Sequence, residues 1–464
     1  MAEVENLARF VDDADYSTLS EEAVAQLKIR VLDTIGVAIG ASDAEPMVAI
    51  RLLTESLGGN AESTLIGGGT SSPDRAAFYN AALSRYLDFM DSYLAPGETN
   101  HPSDNLGAVL AAAERTHASG REFLTALAVA YQVHTRLADI APVRAKGFDH
   151  TTQGAFAVAA AASKALGLTA EQTANAISIA GTANNALRVT RTGDLSHWKG
   201  LAAPQVAKEG THAALLASVG ITGPAEVFEG NKGFKDSIAG DFTIDWAAED
   251  LESVHRTIVK KHNAEIHSQS AIDAAITIRD QLQGEAAIDP TAIREVRVTT
   301  FQVAYDIIGG GEEGDKQHIR LKEEADHSLP YMVAVALLDG EVTPDQYDPE
   351  RIIADDVQRL LRLVRVQPDA DYSDRFPAQM PSRVEVEHTD GTVHSVETRS
   401  YRGFHADPLT WDDALSKFHR LAARFANDDL RGRIATAITH LDEHPTTNVT
   451  GLLAQVGPRH AAKE

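Results

Sequence analysis

The chain of 464 residues contains no cysteine. That single absence excludes disulfides, thiolate nucleophiles and the usual ligands of iron–sulfur clusters. Chemistry here has to run on His, Lys, Asp, Glu, Tyr or Ser, or on a metal held by oxygen and nitrogen. Cations are scarce as well: 42 Lys and Arg stand against 67 Asp and Glu, a formal charge of −25. So acidic a chain lacks the basic face that a phosphate backbone requires, which excludes nucleic acid as a partner. The same charge repels small anions at long range, so an anion site would have to be assembled from local cations. Long apolar runs are missing too. AFAVAAAA, residues 155–162, is too short and too rich in alanine to span a bilayer. The opening MAEVENLARFVDDADYS has neither the basic start nor the apolar stretch of a secretory signal. A soluble, cytoplasmic chain with no membrane partner is expected. There is no HExxH, no GxGxxG after a strand, no GxxxxGK[ST] and no GxSxG, so zinc, nucleotide and serine-hydrolase readings have no motif to stand on. No metal and no cofactor are expected.

What is present is an ordinary globular composition, 43% hydrophobic and 23% charged. The first part of the chain has helical periodicity. TLSEEAVAQLKIRVLDTIGVAIGA opens on a Thr18–Glu21 capping box, with Val24, Leu27, Val31 and Ile35 at helical spacing. GAFAVAAAASKALGLTAEQTANAISIAG predicts a small-residue helix stopped at Gly167 and a second capping box, Thr169 with Gln172. After about residue 255 the period changes to two. IREVRVTTF (293–301) and SRVEVEHTDGTVHSVETR (382–399) read as strands, the latter a hairpin turning on Asp390-Gly391. From Leu409 the pattern is helical again. The expected fold is a mainly α-helical large domain with a smaller α+β lid: residues 1–258, then 259–405, then C-terminal helices 406–464 returning to the helical domain.

One stretch resists that division. DSYLAPGETNHPSDN, residues 91–105, has the vocabulary of a loop, yet carries Asp91, Glu98, His101 and Asp104 between two helices. Loops of that length inside compact domains are usually functional or disordered. Each chemical feature has a plain structural reading. Asp91 and Asp104 can cap helices, and His101 can be a surface residue. His150 in GFDHTTQG can cap, and Lys199 in LSHWKG can point to water. Lys260, His262, Glu265 and His267 can form a polar approach to a helix, Tyr331 can be core, and Arg402 and His405 can be exposed linker residues. Taken together they are imidazole, ammonium, guanidinium, phenol and carboxylate groups in or beside turns. That inventory suits metal-free proton abstraction next to a carboxylate, with cations binding the negative charge.

LDFMDSYLAPGETNHPSDNLGAVLAAAE resembles the signature loop and following helix of the MmgE/PrpD family. GFDHTTQGAFAVAAAASKALGLT, HWKGLAAPQVAKEGTHAALLA, GPAEVFEG, AEIHSQSAIDAA, ADHSLPYMVAVALLDG and RGFHADPLTWDDALSKF resemble further family blocks, in the expected order. The resemblance implies a helical domain and a lid with the active site between them, a homodimer, and a small tricarboxylate as substrate. It places Asp91, His101, His150, Lys199 and Tyr331 among the catalytic residues, and Lys260, His267 and Arg402 among those holding substrate. Lys260 is matched less securely because Lys261 follows it. Ala95 stands where decarboxylase members carry a threonine, which favours 2-methylcitrate dehydration over cis-aconitate decarboxylation or epimerisation. A non-catalytic helical scaffold is the distant alternative.

Overall fold

The computed structural model describes residues 2–193, 195–282 and 288–457. The chain forms two compact units: Met1–Thr190 with Gly200–Ile258 and Thr410–Glu464, and Arg191–Lys199 with Val259–Leu409. The expected divisions were 1–258, 259–405 and 406–464. The main difference is that Arg191–Lys199, read from sequence as part of the helical domain, groups with the second unit.

The first unit is helical. α1 (Glu21–Gly40), α2 (Pro73–Tyr86), α3 (Leu106–Arg115), α4 (Gly120–Ile140) and α5 (Thr151–Ala165) supply its centre. α4 packs on α5, α2 on α3, and α1 on the helix Trp411–Ala422. Alanine and glycine set these spacings. A side chain at Gly107 of α3 would put its Cβ 2.6 Å from the main-chain nitrogen of Ala81 on α2. The capping box expected from Thr18 and Glu21 does not form, and a simple cap at Ser20 takes its place. Asp15 caps a short 3-10 turn over Tyr16–Thr18, and Ser20 caps α1 through the Ala23 N–H. Gly167 ends α5 at φ +66°, and the box of Thr169 and Gln172 forms as read.

Residues 91–105 are more ordered than a loop. β1 (Asp91–Ala95) and β2 (Glu98–Asn100) make a hairpin, with Ala95 opposite Glu98 across the two-residue turn Pro96-Gly97. Pro96 fixes one central φ, and Gly97, at φ +77°, takes the left-handed one. A 3-10 turn, Pro102–Asn105, then leads into α3.

The second unit is α+β. α6 (Gln269–Leu282) and α7 (Leu329–Asp339) accompany a four-stranded sheet of β3 (Ile293–Thr300), β4 (Val364–Pro368), β5 (Ser382–His388) and β6 (Val393–Thr398). The order is β4-β3-β5-β6, with β4 parallel to β3 and the other pairs antiparallel. The Asp390-Gly391 turn forms as predicted, Gly391 at φ +89°. β4 was not read from sequence, because VRVQP is short, half charged or polar, and ends in proline.

Candidate active site

Two sets of buried polar groups stand out, one in each unit. In the helical unit the hairpin buries Asp91, 1% exposed. Its Oδ1 accepts from the Ser103 N–H (3.1 Å) and hydroxyl (2.6 Å), and its Oδ2 accepts from the Tyr131 hydroxyl on α4 (2.6 Å). The Arg30 guanidinium on α1 lies 3.8 Å away and is itself fixed by two bonds to Thr257, to Oγ1 and to the carbonyl, each 3.1 Å. Burial, followed by the Asp91 charge, pushes the Tyr131 phenol well above its ordinary pKa. It therefore stays protonated and keeps donating.

His101 follows from the same anchoring. Its Nδ1 is 2.9 Å from the main-chain oxygen of Asp91 and 3.1 Å from the Ser92 hydroxyl. A carbonyl oxygen cannot donate, so Nδ1 carries the hydrogen. In the neutral ring Nε2 then holds the lone pair. His150 stands edge-on to His101, ring centroids 5.4 Å apart and planes at 73°. Its Nδ1 is 3.5 Å from Asp149 and its Nε2 is 4.0 Å from Asp104. Arg188 faces Asp149 at 3.8 Å, and Arg85 faces Asp104 at 3.8 Å and Asp88 at 2.6 Å. Asp88 itself takes a left-handed φ of +54°, uncommon outside glycine. The structure thus brings Asp91, His101 and His150 together. It adds Arg30, Arg85, Ser103, Asp104, Tyr131 and Asp149, of which sequence had singled out only Asp104.

In the second unit, Asp326 is fully buried between ammonium groups. Lys199 Nζ donates to Oδ1 (2.6 Å), and Lys322 Nζ to Oδ2 (2.8 Å). His327 Nδ1 lies 2.8 Å from the same Oδ1. Burial alone would raise the Asp326 pKa. Lys199, Lys322 and His327 reverse that and hold it far below the usual carboxylate range. The same His327 Nδ1 lies 2.9 Å from Lys199 Nζ, so the imidazole sits against both the carboxylate and the ammonium.

In the same unit Glu265 binds His267 twice, by Oε2 to the main-chain N–H (2.8 Å) and by Oε1 to Nδ1 (2.7 Å). The His267 ring, 1% exposed, is flanked by Phe301 and Phe376 at 5.7 and 5.6 Å, and its Nε2 has no hydrogen-bond partner among the described residues. Burial works to raise the Glu265 pKa, but His267, His327 and the buried Lys260 together bring it down to about 2. Burial lowers the pKa of Lys316, which sequence missed, below that of an ordinary lysine, against the opposing charges of Glu313, Glu265 and Asp326.

That depression of Glu265 has a measurable consequence. Its stabilising charge is complete above its ordinary pKa of 4.5 and is lost as the pH falls towards 2. Glu265→Gln is therefore expected to melt at lower temperature than the parent at pH 7, and to lose less stability between pH 4.5 and 2. Thermal melts across that range check it, and parallel slopes for the two proteins refute it.

Two of the expected site residues are placed differently. Tyr331 is fully buried, and its hydroxyl donates to the carbonyl of Gln346. The charged groups that act on its phenol are Arg351, Asp339, Asp348 and Asp356. Arg402 has a side chain 38% exposed and ion-paired to Asp407, within the Phe404–Asp407 turn.

Imidazoles with fixed tautomers, beside buried carboxylates and ammonium groups, are the equipment of an acid–base enzyme. Residues 5–247 match the MmgE/PrpD N-terminal domain, and residues 262–443 match the MmgE/PrpD C-terminal domain. The chain belongs to the MmgE/PrpD family. It is 32% identical over 345 residues to the 2-methylcitrate dehydratase of Escherichia coli K12, covering 69% of this chain and 68% of that one. It is 30% identical over 420 residues to the 2-methylcitrate dehydratase of Cupriavidus necator (82% and 83% covered). It is 25% identical over 464 residues to the cis-aconitate decarboxylase of Mus musculus (95% and 90%). The dehydratases among these relatives place it with the hydro-lyases. Among the described residues no helix is long and apolar enough to cross a membrane.

Proposed function

We propose that the protein dehydrates 2-methylcitrate to 2-methylaconitate, with citrate as a second substrate, and does so without a metal. The observation that carries the reading is the tautomer of His101, a buried imidazole whose Nε2 is left as a base by the Asp91 carbonyl. A hydrogen on carbon next to a carboxylate is barely acidic, and its removal needs a positioned base and nearby positive charge. His101 Nε2 takes that proton, and the C–H electron pair becomes the new double bond. The C–O bond on the neighbouring carbon breaks. His150, set between Asp149 and Asp104, gives its proton to the departing hydroxide, which leaves as water.

Lys260, His267 and Arg402 keep their proposed role of holding carboxylates, and Lys199, placed above among the catalytic residues, is given that role with Lys316. Asp91 is reassigned: four contacts occupy its oxygens, so its part is to fix the hairpin and His101. Tyr331 is left out of the acid–base set, since its proton is committed to main chain. A homodimer, as the family resemblance implies, working in the cytoplasm is the proposed form.

The test is parallel incubation with 2-methylcitrate, citrate and cis-aconitate, with products identified. Ultraviolet absorbance from a new conjugated double bond, appearing only with the hydroxy acids and without gas, is the expected result. Carbon dioxide from cis-aconitate would replace dehydration with decarboxylation.

A further inference from the structure

The second unit carries a pocket of about 850 Å³ that none of the groups above lines. Its lining includes Ile293, Ile319, Ile353 and Leu363, with Ile353 60% exposed. Three arginines, Arg320, Arg359 and Arg362, line it too, with Asp355 as the acid of the lining. In a chain with 67 acidic and 42 basic residues, arginines are expected to find carboxylates. Several others in this unit do, although among the described residues Arg365 bonds only main-chain carbonyls. Arg294 and Arg297 pair with Glu387, Arg351 with Asp339 and Asp356, and Arg383 with Glu385.

The three at the pocket have no such ion pair among the described residues. Their recorded side-chain bonds are long: Arg359 Nε to the Pro290 carbonyl and an Arg362 terminal nitrogen to Gln358 Oε1, each 3.4 Å. Asp289, held low mainly by its hydrogen bonds from Thr291, feels Arg359 only as a charge through space. Arg359 and Arg362 are three residues apart at the end of the helix Asp355–Leu361, so their side chains share a face. Guanidinium forks match carboxylate and phosphate oxygens in pairs, and 850 Å³ lies within the size range of small-molecule sites.

We propose that this pocket binds a small amphipathic anion. A carboxylate or phosphate head meets Arg320, Arg359 and Arg362, and a short hydrocarbon body covers Ile353 and Leu363. The site is independent of the proposed dehydration.

Isothermal titration of the full chain with hexanoate, hexyl phosphate, inorganic phosphate and hexanol tests it. At least one of the two amphipathic anions is expected to saturate one site, at least tenfold more tightly than phosphate or hexanol, and the preferred head group then distinguishes carboxylate from phosphate. Arg359→Gln with Arg362→Gln is expected to weaken that binding at least tenfold, while the distant Arg383→Gln leaves it unchanged. Ile353→Ser, at a side chain too exposed to carry the fold, is expected to weaken it also. The proposal is overturned if neither amphipathic anion saturates, or if binding survives both the double arginine change and Ile353→Ser.

Discussion

His101→Asn is expected to lower turnover of 2-methylcitrate by about a hundred- to ten-thousand-fold, the usual worth of a positioned acid or base. Asparagine is chosen because its amide nitrogen sits where Nδ1 sits. It can still donate to the Asp91 carbonyl, 2.9 Å from Nδ1 in the parent, so the hairpin keeps its anchor. What is lost is Nε2. The thermal midpoint should therefore move little while kcat collapses. Tyr131→Phe makes the complementary change. It removes the 2.6 Å hydrogen bond to Asp91 Oδ2 and leaves a buried carboxylate oxygen short of a donor, at a cost of about 1–3 kcal/mol in stability. His101 keeps its main-chain bond in that variant, so turnover should fall far less than in His101→Asn. Steady-state kinetics and melts on the two proteins separate a base from an anchor. Near-full turnover by His101→Asn would leave the proposed mechanism without its base.

The distinction between base and anchor was not legible in the sequence. Asp91 and His101 both read as chemistry in a loop, and residue type could not rank them. The ranking comes from contacts made by Ser103, 12 residues on, and Tyr131, 40 residues on, which fill the Asp91 oxygens. Ser103 looked like turn vocabulary and Tyr131 like one more apolar residue of a long helix. The hairpin was hidden for a related reason. DSYLA and ETN are too short to show a period, and the Pro-Gly between them reads equally as loop.

Where sequence spoke clearly, it did so through local chemistry that needs no partner. Gly167 could end a helix, Thr169 with Gln172 could start one, and Asp390-Gly391 could turn a hairpin, whatever packed against them. Lys199 shows the opposite limit. Its neighbours in sequence are Trp198 and Gly200, on a helical segment, and nothing there announces a carboxylate 127 residues away. Asp326 was equally silent, since KEEAD reads as a solvated acidic turn. The pairing exists only in three dimensions, within the unit that groups Arg191–Lys199 with Val259–Leu409.

That pairing yields the second large effect. Asp326→Asn is expected to destabilise the protein by about 3–5 kcal/mol, the cost of leaving buried charges without their partner. The carboxylate is 0% exposed and serves Lys199, Lys322 and His327 at once, so one substitution takes the same negative charge from all three. Lys199→Met is expected to cost less. It removes one buried charge, keeps much of the apolar stem, and leaves Lys322 on Oδ2 at 2.8 Å to hold the carboxylate ionised. Urea unfolding of both variants and of their double measures the coupling, expected to be favourable by about 0.5–3 kcal/mol for residues in one network. Activity divides the two roles of Lys199. If it only neutralises Asp326, the folded Lys199→Met protein, in which Lys322 still holds the carboxylate, should keep its KM for tricarboxylates. If its ammonium also grips a substrate carboxylate, that KM should rise in the folded protein, because a methionine thioether can replace buried volume but not positive charge.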